Sequence, residues 1–201
     1  SSAAPLLNRL EQEFKSSHEI CMCVAYFTDL SIAQLILERS KSGQVTKIII
    51  NKHDVILPID SGLELKVSAA IHSLLQDYDP RKKPNLEIRV LGLNTGGGHQ
   101  TRTNMHHKFV LFDKSFCFGS LNFTENAFCY NFENVVFSDN PVLRGSFFDE
   151  FEWLWSQAEE LSVSSGKIRI ISCPKCDSAD GVDFESYGAF CTHCRTQFRI
   201  S

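Results

Sequence analysis

The sequence lacks a long apolar run, a signal-like leader and any repetitive tract. No stretch approaches the roughly 20 apolar residues that a membrane-spanning helix needs. The N-terminal segment SSAAPLLNRLEQEF lacks the charged, apolar and small-residue order of a secretory signal. These absences exclude a predicted membrane span and favour a protein that is not exported, and the abrupt start is typical of a piece cut from a longer chain. Without repeats, 201 residues of which 43% are hydrophobic predict one substantial core and a small appended module.

A surplus of positive charge is also missing. The formal net charge of -4 and the isoelectric point near 6.0 count against a protein that coats nucleic acid without specificity. Positions 125–160 carry eight acidic residues against one basic residue, whereas positions 81–108 carry six basic residues against one acid. The six are Arg81, Lys82, Lys83, Arg89, Arg102 and Lys108. They indicate either one locally positive surface or ordinary solvated loop and helix faces.

Eight cysteines without a secretion signal favour a reducing compartment over a disulfide framework, so we expect a cytoplasmic protein. Four of them form two CxxC pairs, CPKC and CTHC, with fourteen residues between the pairs: Cys173, Cys176, Cys191 and Cys194. The other four lie in apolar surroundings and are predicted to be buried small side chains: Cys21, Cys23, Cys117 and Cys129.

The two CxxC pairs match the spacing of a tetrahedral zinc site with four cysteine ligands. A module of about thirty residues cannot form an adequate core, so the metal would supply folding energy. Four thiolates leave no open coordination position, which predicts a structural Zn²⁺ without a catalytic role. The module resembles a zinc ribbon, and its mixed charge leaves nucleic-acid binding, protein docking and a purely structural role open.

Apolar residues alternate between helical and strand spacing in the first part of the chain. Helices are predicted around positions 6–14, 32–36 and 63–75, and buried strands at EICMCVAYF, VTKIII and LEIRVLG. This alternation predicts a layered α/β domain. The polar, glycine-rich LNTGGGHQTRTN is predicted to be a loop. Its His99, and His53 after the second strand, could each reach a substrate, but loop histidines more often have no specific role, which is the preferred interpretation.

MHHKFVLFD alternates like a strand from His106 onward. His106 and Lys108 therefore share one face, whereas His107 faces away from it. This pair suits phosphoryl chemistry, because histidine attacks phosphorus or donates a proton near neutral pH and lysine stabilises the negative charge.

Strands at SFCFGS and NFENVVF follow, and Asn140 with Pro141 begins a last long helix. Beyond Glu160 the composition shifts to the small and polar LSVSSGK, which is typical of a linker. The sequence therefore predicts a main domain at residues 1–161, and a linker with the four-cysteine module at residues 162–201.

The motifs of the main domain resemble the phospholipase D superfamily, whose signature is H-x-K, four residues, D, and then G-S-x-N. The matching residues are His106, Lys108, Asp113, Gly119, Ser120 and Asn122, and Glu133 matches the carboxylate that orients the histidine. The resemblance covers roughly residues 1–160 and is closest to the single-motif branch with bacterial nucleases and the mitochondrial cardiolipin hydrolase. It implies an α/β/α sandwich with a mixed central sheet, to which the ribbon is appended. Five residues separate Asp113 from Gly119 where six are expected, which indicates a tightened hairpin or a small shift of the GSLN segment.

The resemblance implies a two-step reaction in which one histidine forms a phosphohistidine and a second protonates the leaving oxygen. Because the chain has one motif, the second His106 would come from a twofold-related partner in a homodimer. Lys108 and Asn122 would hold the phosphate, and Ser120 would assist. Glu133 would fix the imidazole tautomer. Asp113 would order the strand turn, and no catalytic metal is needed.

Taken together, the motifs predict a metal-independent nuclease that cleaves DNA or RNA, with further domains or protein partners in a longer protein. A phospholipid phosphodiesterase is the first alternative, which the lack of a membrane anchor or basic amphipathic helix weakens. A catalytically inactive phosphate-binding or nucleic-acid-binding module is the second. Phe123 and Phe132 flank the motifs and could stack on a base, but core packing is the preferred interpretation in a chain with sixteen phenylalanines.

Overall fold

The computed structural model describes residues 4–51, 64–76, 85–94, 102–160, 167–170, 172–178, 182–185 and 188–198. The helices are α1 (Ala4–Ser16), α2 (Leu30–Lys41), α3 (Ala69–Leu75), α4 (Glu125–Cys129) and α5 (Pro141–Gln157). The first nine strands are β1 (Glu19–Val24), β2 (Val45–Asn51), β3 (Glu64–Val67), β4 (Leu86–Asn94), β5 (Arg102–Asn104), β6 (Lys108–Leu111), β7 (Phe116–Gly119), β8 (Val135–Ser138) and β9 (Glu159–Glu160). The C-terminal strands are β10 (Lys167–Ile170), β11 (Val182–Glu185), β12 (Gly188–Cys191) and β13 (Thr196–Phe198).

The main sheet has eight strands in the order β5-β4-β2-β1-β6-β7-β8, with β9 paired to β4. β1, β2 and β4 run parallel to one another. β6 is antiparallel to β1, and β7 and β8 continue antiparallel. The sheet is therefore mixed, as predicted, and β1 joins its parallel half to its antiparallel half.

Apolar helix faces cover both sides of this sheet. On one side, α1 to α4 pack onto alternate strand residues such as Met22, Ile48 and Val110. On the other side, α5 packs onto the intervening residues, such as Cys23 and Phe109. Because side chains alternate across a strand, this two-sided burial explains why β1 and β2 are almost continuously apolar. The predicted α/β/α sandwich is confirmed.

Arg39, at the end of α2, is a buried cation that ties the first helices to the sheet. Its guanidinium donates to four carbonyl oxygens and one hydroxyl, those of Phe14, Ser17, His18, Val45 and Thr46. Burial lowers the pKa of Arg39 to about 10, so the side chain remains charged at neutral pH. The carbonyls at the end of α1 and the start of β1 and β2 therefore depend on one side chain for their partners.

Tertiary pairing changes several predicted elements. The first turn of the predicted third helix is strand β3, and α3 begins only at Ala69, after the Ser68 N-cap. The ends of the glycine-rich segment are also strands, because Asn94 pairs with Arg102 across β4 and β5. Cys129 is exposed at the end of α4, so its predicted burial was wrong, whereas the other three apolar-context cysteines are buried.

The C-terminal residues form a small sheet of their own. β11, β12 and β13 are antiparallel in that order. β10, from the segment assigned to the linker and module, pairs in parallel with β3. The domain boundary itself stays a prediction. Among the described helices, none combines the length and apolar content needed to cross a bilayer.

Replacing Arg39 with methionine should lower the free energy of unfolding by about 3 kcal/mol, because several buried carbonyls lose their donors at once. Urea unfolding of the purified protein measures this loss. Lys15→Met is the matched control, since the Lys15 side chain is exposed and pairs with the exposed Glu11, and it should change stability by less than about 0.5 kcal/mol. Equal effects of the two substitutions would contradict the structural role of Arg39.

Candidate active site

Lys108 is the first residue of β6 and pairs with Val24 at the carboxyl end of β1. His106 lies just before this strand, so the strand predicted from His106 onward begins two residues later. Lys108 Nζ lies 3.3 Å from both ring nitrogens of His106 and donates to the His106 carbonyl oxygen over 3.0 Å. The two side chains therefore converge, as their spacing predicted. His106 is exposed to solvent and Lys108 is half-buried.

The surroundings of His106 favour the neutral imidazole. Partial desolvation of the ring, and then the positive charge of Lys108, hold the pKa of His106 below its ordinary value of 6.5. A neutral imidazole has a free nitrogen lone pair at neutral pH. His106 is thereby suited to nucleophilic attack beside a cation that can receive an anionic substrate.

The GSLN segment begins where β7 meets β8. Gly119 has a φ of +156°, and a Cβ on it would lie 1.8 Å from the carbonyl oxygen of Asn134. Only glycine allows this approach, which lets the Ser120 N–H donate to Asn134 O over 2.9 Å. The Asn134 N–H in turn donates to Ser120 Oγ over 3.0 Å. Ser120 is held in place by two backbone contacts.

Glu133 joins this arrangement through its carboxylate. It accepts hydrogen bonds from Ser120 Oγ and, over 3.3 Å, from Asn131 Nδ2. Within the part of the chain that the structure describes, the His106 ring contacts Lys108 and not Glu133 of the same chain. The predicted role of Glu133 in orienting an imidazole stays a prediction. Asn131 and Asn134 were not among the predicted site residues, although both lie with Glu133 in NFEN.

Asn122 follows β7 in a short segment bound to the chain after β1. The Phe123 N–H donates to Tyr26 O over 3.0 Å, and Phe123 O accepts from the N–H groups of Thr28 and Asp29. Asn122 Oδ1 is buried and has no hydrogen-bond partner among the described atoms. Because this oxygen is an acceptor, a phosphate would be met by the Asn122 Nδ2 group, which is the donor of the amide.

Strand register places the predicted residues at one end of the sheet. Phe109 is opposite Phe118, and Gly119 is opposite Val135, so the start of β6, the end of β7 and the start of β8 are neighbours. Lys108, Gly119 and Val135 also line one small cavity. The structure therefore brings the predicted catalytic residues to the same end of the sheet, with Lys108 beside His106 and Ser120 beside Glu133.

Asp113 and His107 do not belong to this group of residues. The Asp113 carboxylate accepts from the N–H groups of His18 and Glu19 over 2.7 Å and 3.0 Å. These donors outweigh the effect of burial and lower the pKa of Asp113 below its ordinary range. His107 Nε2 lies 3.3 Å from Glu150 Oε1 on α5. Asp113 orders a strand junction, and His107 faces the opposite side of the sheet, as predicted.

Arg89 is bound to a helix and does not contribute to the predicted basic surface. Its guanidinium donates to Trp155 O over 2.8 Å and stacks on the Trp155 ring at 4.3 Å, so it fastens α5 to β4. Arg102 is described only through its backbone. The other basic residues of the stretch before it, and both loop histidines, lie outside the described residues: Arg81, Lys82, Lys83, His53 and His99.

The two aromatic residues beside the motifs differ in environment. Phe123 is buried in the core, as preferred from the sequence. Phe132, in contrast, is fully exposed, so the prediction of core packing was wrong there. It sits in the turn between α4 and β8, where it has no core to enter.

The four cysteines of the C-terminal module form a compact cluster. Their Sγ atoms all lie within 4.8 Å of one another, with 3.6 Å from Cys173 to Cys194 and from Cys176 to Cys191. Sulfur atoms in a tetrahedral zinc site are about 3.8 Å apart, so the thiols fit that ion. The Lys175 N–H points at Cys173 Sγ over 3.4 Å. The residue after each CxxC pair, Asp177 or Arg195, has a positive φ that lets the chain turn around the cluster.

Comparisons with known proteins agree with this geometry. The mitochondrial cardiolipin hydrolase of Danio rerio is 24% identical over 165 residues, which are 80% of this chain and 63% of that protein. The protein of the same name from Chlamydomonas reinhardtii is 27% identical over 135 residues, 67% of this chain and 50% of that protein. The chain thus spans less than two thirds of the length of either relative.

Two solved structures share the fold. NucT from Helicobacter pylori has a TM-score of 0.64 at 20% identity, over 79% of this chain and 92% of that chain. Nuc from Salmonella typhimurium, a phospholipase D family member, has a TM-score of 0.56 at 22% identity, over 78% and 90%. The family model "Cardiolipin synthase, PLD-like domain" matches residues 10–155. Because that match spans most of the chain, the protein belongs to this phospholipase D-like family.

Proposed function

We propose that the protein is a phosphodiesterase that cleaves DNA or RNA in an active site shared by two copies of the chain. The observation that carries the proposal is the contact of His106 with Lys108, in which a neutral imidazole adjoins a cation at the end of the sheet where β6 begins. The hydrogen-bonded pair of Ser120 and Glu133 lies at the same end of the sheet.

The reaction has two steps. The imidazole of one His106 attacks phosphorus, a nitrogen–phosphorus bond forms, and the bond to the leaving oxygen breaks as the partner's His106 protonates it. Water, deprotonated by that second imidazole, then attacks the phosphohistidine and restores the first. Lys108 and Asn122 stabilise the charge on the phosphoryl oxygens in both steps. Neither step calls for a catalytic metal.

A second copy would supply the second histidine, because this sequence carries one H-x-K motif. Apolar side chains are exposed near the site: Tyr130 and Phe132 in the turn before Glu133, and Val136 on the edge strand β8. Exposed apolar groups of this size are typical of protein interfaces. An isologous dimer that covers them would bring the two copies of His106 together.

A nucleic-acid substrate is favoured over a lipid by two observations. This fold matches NucT over 92% and Nuc over 90% of their chains. The four-cysteine module is also a more usual companion of nucleic-acid enzymes. A phospholipid phosphodiesterase is the second candidate, because the sequence relatives are named mitochondrial cardiolipin hydrolases.

His106→Asn should abolish cleavage, with a loss of at least about 10³-fold in kcat, because the nucleophile is removed. The measurement is cleavage of labelled single- and double-stranded DNA and RNA in brief EDTA. His107→Asn is the matched control on the opposite face and should retain activity. Hydrolysis of cardiolipin vesicles without any polymer cleavage would favour the lipid enzyme, and binding without any hydrolysis would favour an inactive module.

Phe132→Asp should convert the dimer into monomers and remove activity together with it, because a charge cannot be buried unpaired in an apolar interface. Sedimentation velocity and the cleavage assay follow the two effects on the same samples. Trp153→Asp, at another exposed aromatic residue on α5, is the control and should leave both unchanged. A wild-type protein that is fully active as a monomer would refute the shared site.

We further propose that the four cysteines hold one structural Zn²⁺. Elemental analysis should find one zinc per chain, and Cys176→Ser should remove it, because three thiolates bind the ion far more weakly than four. Cys129→Ser, at an exposed thiol outside the cluster, should retain the metal. Full zinc content in the Cys176 variant would contradict the ligand assignment.

A further inference from the structure

Among the described residues, the part of the module around its cysteines contacts the main domain through Tyr26 and Glu125. Tyr26, which follows β1, packs against the apolar core of the module beside Cys173 and Cys191. Thr192, directly after Cys191, donates a hydrogen bond from Oγ1 to Glu125 Oε2 over 2.9 Å. This hydrogen bond therefore joins the turn that carries Cys191 and Cys194 to the first residue of α4.

These two contacts flank the segment that carries Asn122. On one side, the carbonyl oxygen of Tyr26 accepts the N–H of Phe123, the next residue after Asn122. On the other side, Glu125 lies three residues after Asn122 in the chain. The module thus contacts Tyr26, which binds the backbone of the GSLN segment, and Glu125, which follows that segment in the chain.

Asn122 Oδ1 makes no hydrogen bond to any described atom, so this oxygen does not fix the side chain, and the backbone contacts of Phe123 hold the segment. The helix that follows has only five residues and is too short to be stable by itself, with the Thr124 hydroxyl as its N-cap. The start of this helix is where Thr192 binds.

We propose that the four-cysteine module positions the active site, by holding the segment from Ser120 to Glu125 so that the Asn122 amide meets the phosphate. Tyr26, Glu125 and Thr192 are positioning residues, since none of them touches the substrate. The inference rests on the proposed function of Asn122 as a phosphate ligand. It gives the module a role in catalysis that requires no contact between the module and the substrate.

The chemistry of the contact supports this role. Cys191 is buried and is one of the clustered thiols, so a bound metal would fix the backbone of the adjoining Thr192. Thr192 and Glu125 are both partly shielded from solvent, which strengthens a hydrogen bond to a carboxylate. Displacement of a catalytic group by about 1 Å can cost about 10²-fold in rate, so a modest loosening is measurable.

The test is a double-mutant cycle between Thr192 and Asn122, in which kcat is measured with bis(p-nitrophenyl) phosphate. This substrate is too small to reach beyond the active site. Thr192→Val removes the donor at nearly constant volume and should lower kcat about fivefold. Thr192→Ser keeps the hydroxyl and should restore it. In an Asn122→Ala background, Thr192→Val should have almost no further effect, because the group that it positions is already absent.

Zinc content and thermal unfolding are measured on the same samples and should not change in Thr192→Val. Lys175→Ala is the matched control, because Lys175 is an exposed residue of the module whose side chain has no contact with the main domain among the described residues. It should leave kcat unchanged. An unaltered kcat in Thr192→Val, or an equal loss with and without Asn122, would overturn the proposal.

Hydrogen–deuterium exchange separates this inference from the proposed function. Thr192→Val should speed amide exchange in a peptide covering residues 120–129, whereas Lys175→Ala should not. If the wild-type protein hydrolyses no phosphodiester, the proposed function fails, and faster exchange would still establish the mechanical coupling. Unchanged exchange would overturn the coupling whatever the enzyme does.

Discussion

The antiparallel pairing of β1 with β6 is the constraint on which the rest of the structure depends. β1 is buried on both faces, so its backbone groups must find partners in the two neighbouring strands. β2 supplies one row of partners in parallel and β6 supplies the other in antiparallel orientation. Because of that register, Lys108 stands opposite Val24, and the H-x-K motif reaches the carboxyl end of the parallel strands.

Both ends of β1 are anchored, and each anchor serves a different purpose. At the amino end, Asp113 binds two N–H groups and Arg39 binds the carbonyls of the turn before the strand. At the carboxyl end, the chain continues to Tyr26, which supports Phe123 and contacts the C-terminal module. The Asp of the family signature therefore acts from the far end of the strand, as a structural residue.

Electrostatics at the site follow from its local arrangement and not from the net charge. The chain is acidic in total, yet Lys108 adjoins an imidazole whose pKa is lowered by desolvation and by that same lysine. Because the adjacent imidazole is neutral, Lys108 keeps its positive charge and can attract an anionic phosphodiester. The acidic Glu133 is meanwhile occupied by Ser120 and Asn131, which limits its repulsion of an anionic substrate.

The sequence by itself determined what depends on spacing along the chain. The alternation along MHHKFVLFD predicted that His106 and Lys108 lie together and His107 apart, and the two CxxC pairs predicted the thiol cluster. Only the tertiary structure decided the properties that depend on a distant partner. Arg89 was bound to α5 and Phe132 was left exposed. Part of a helical pattern became β3 through pairing with β10, and Thr192 met Glu125. Local pattern cannot encode such contacts, since their energy arises between residues that only the fold brings together.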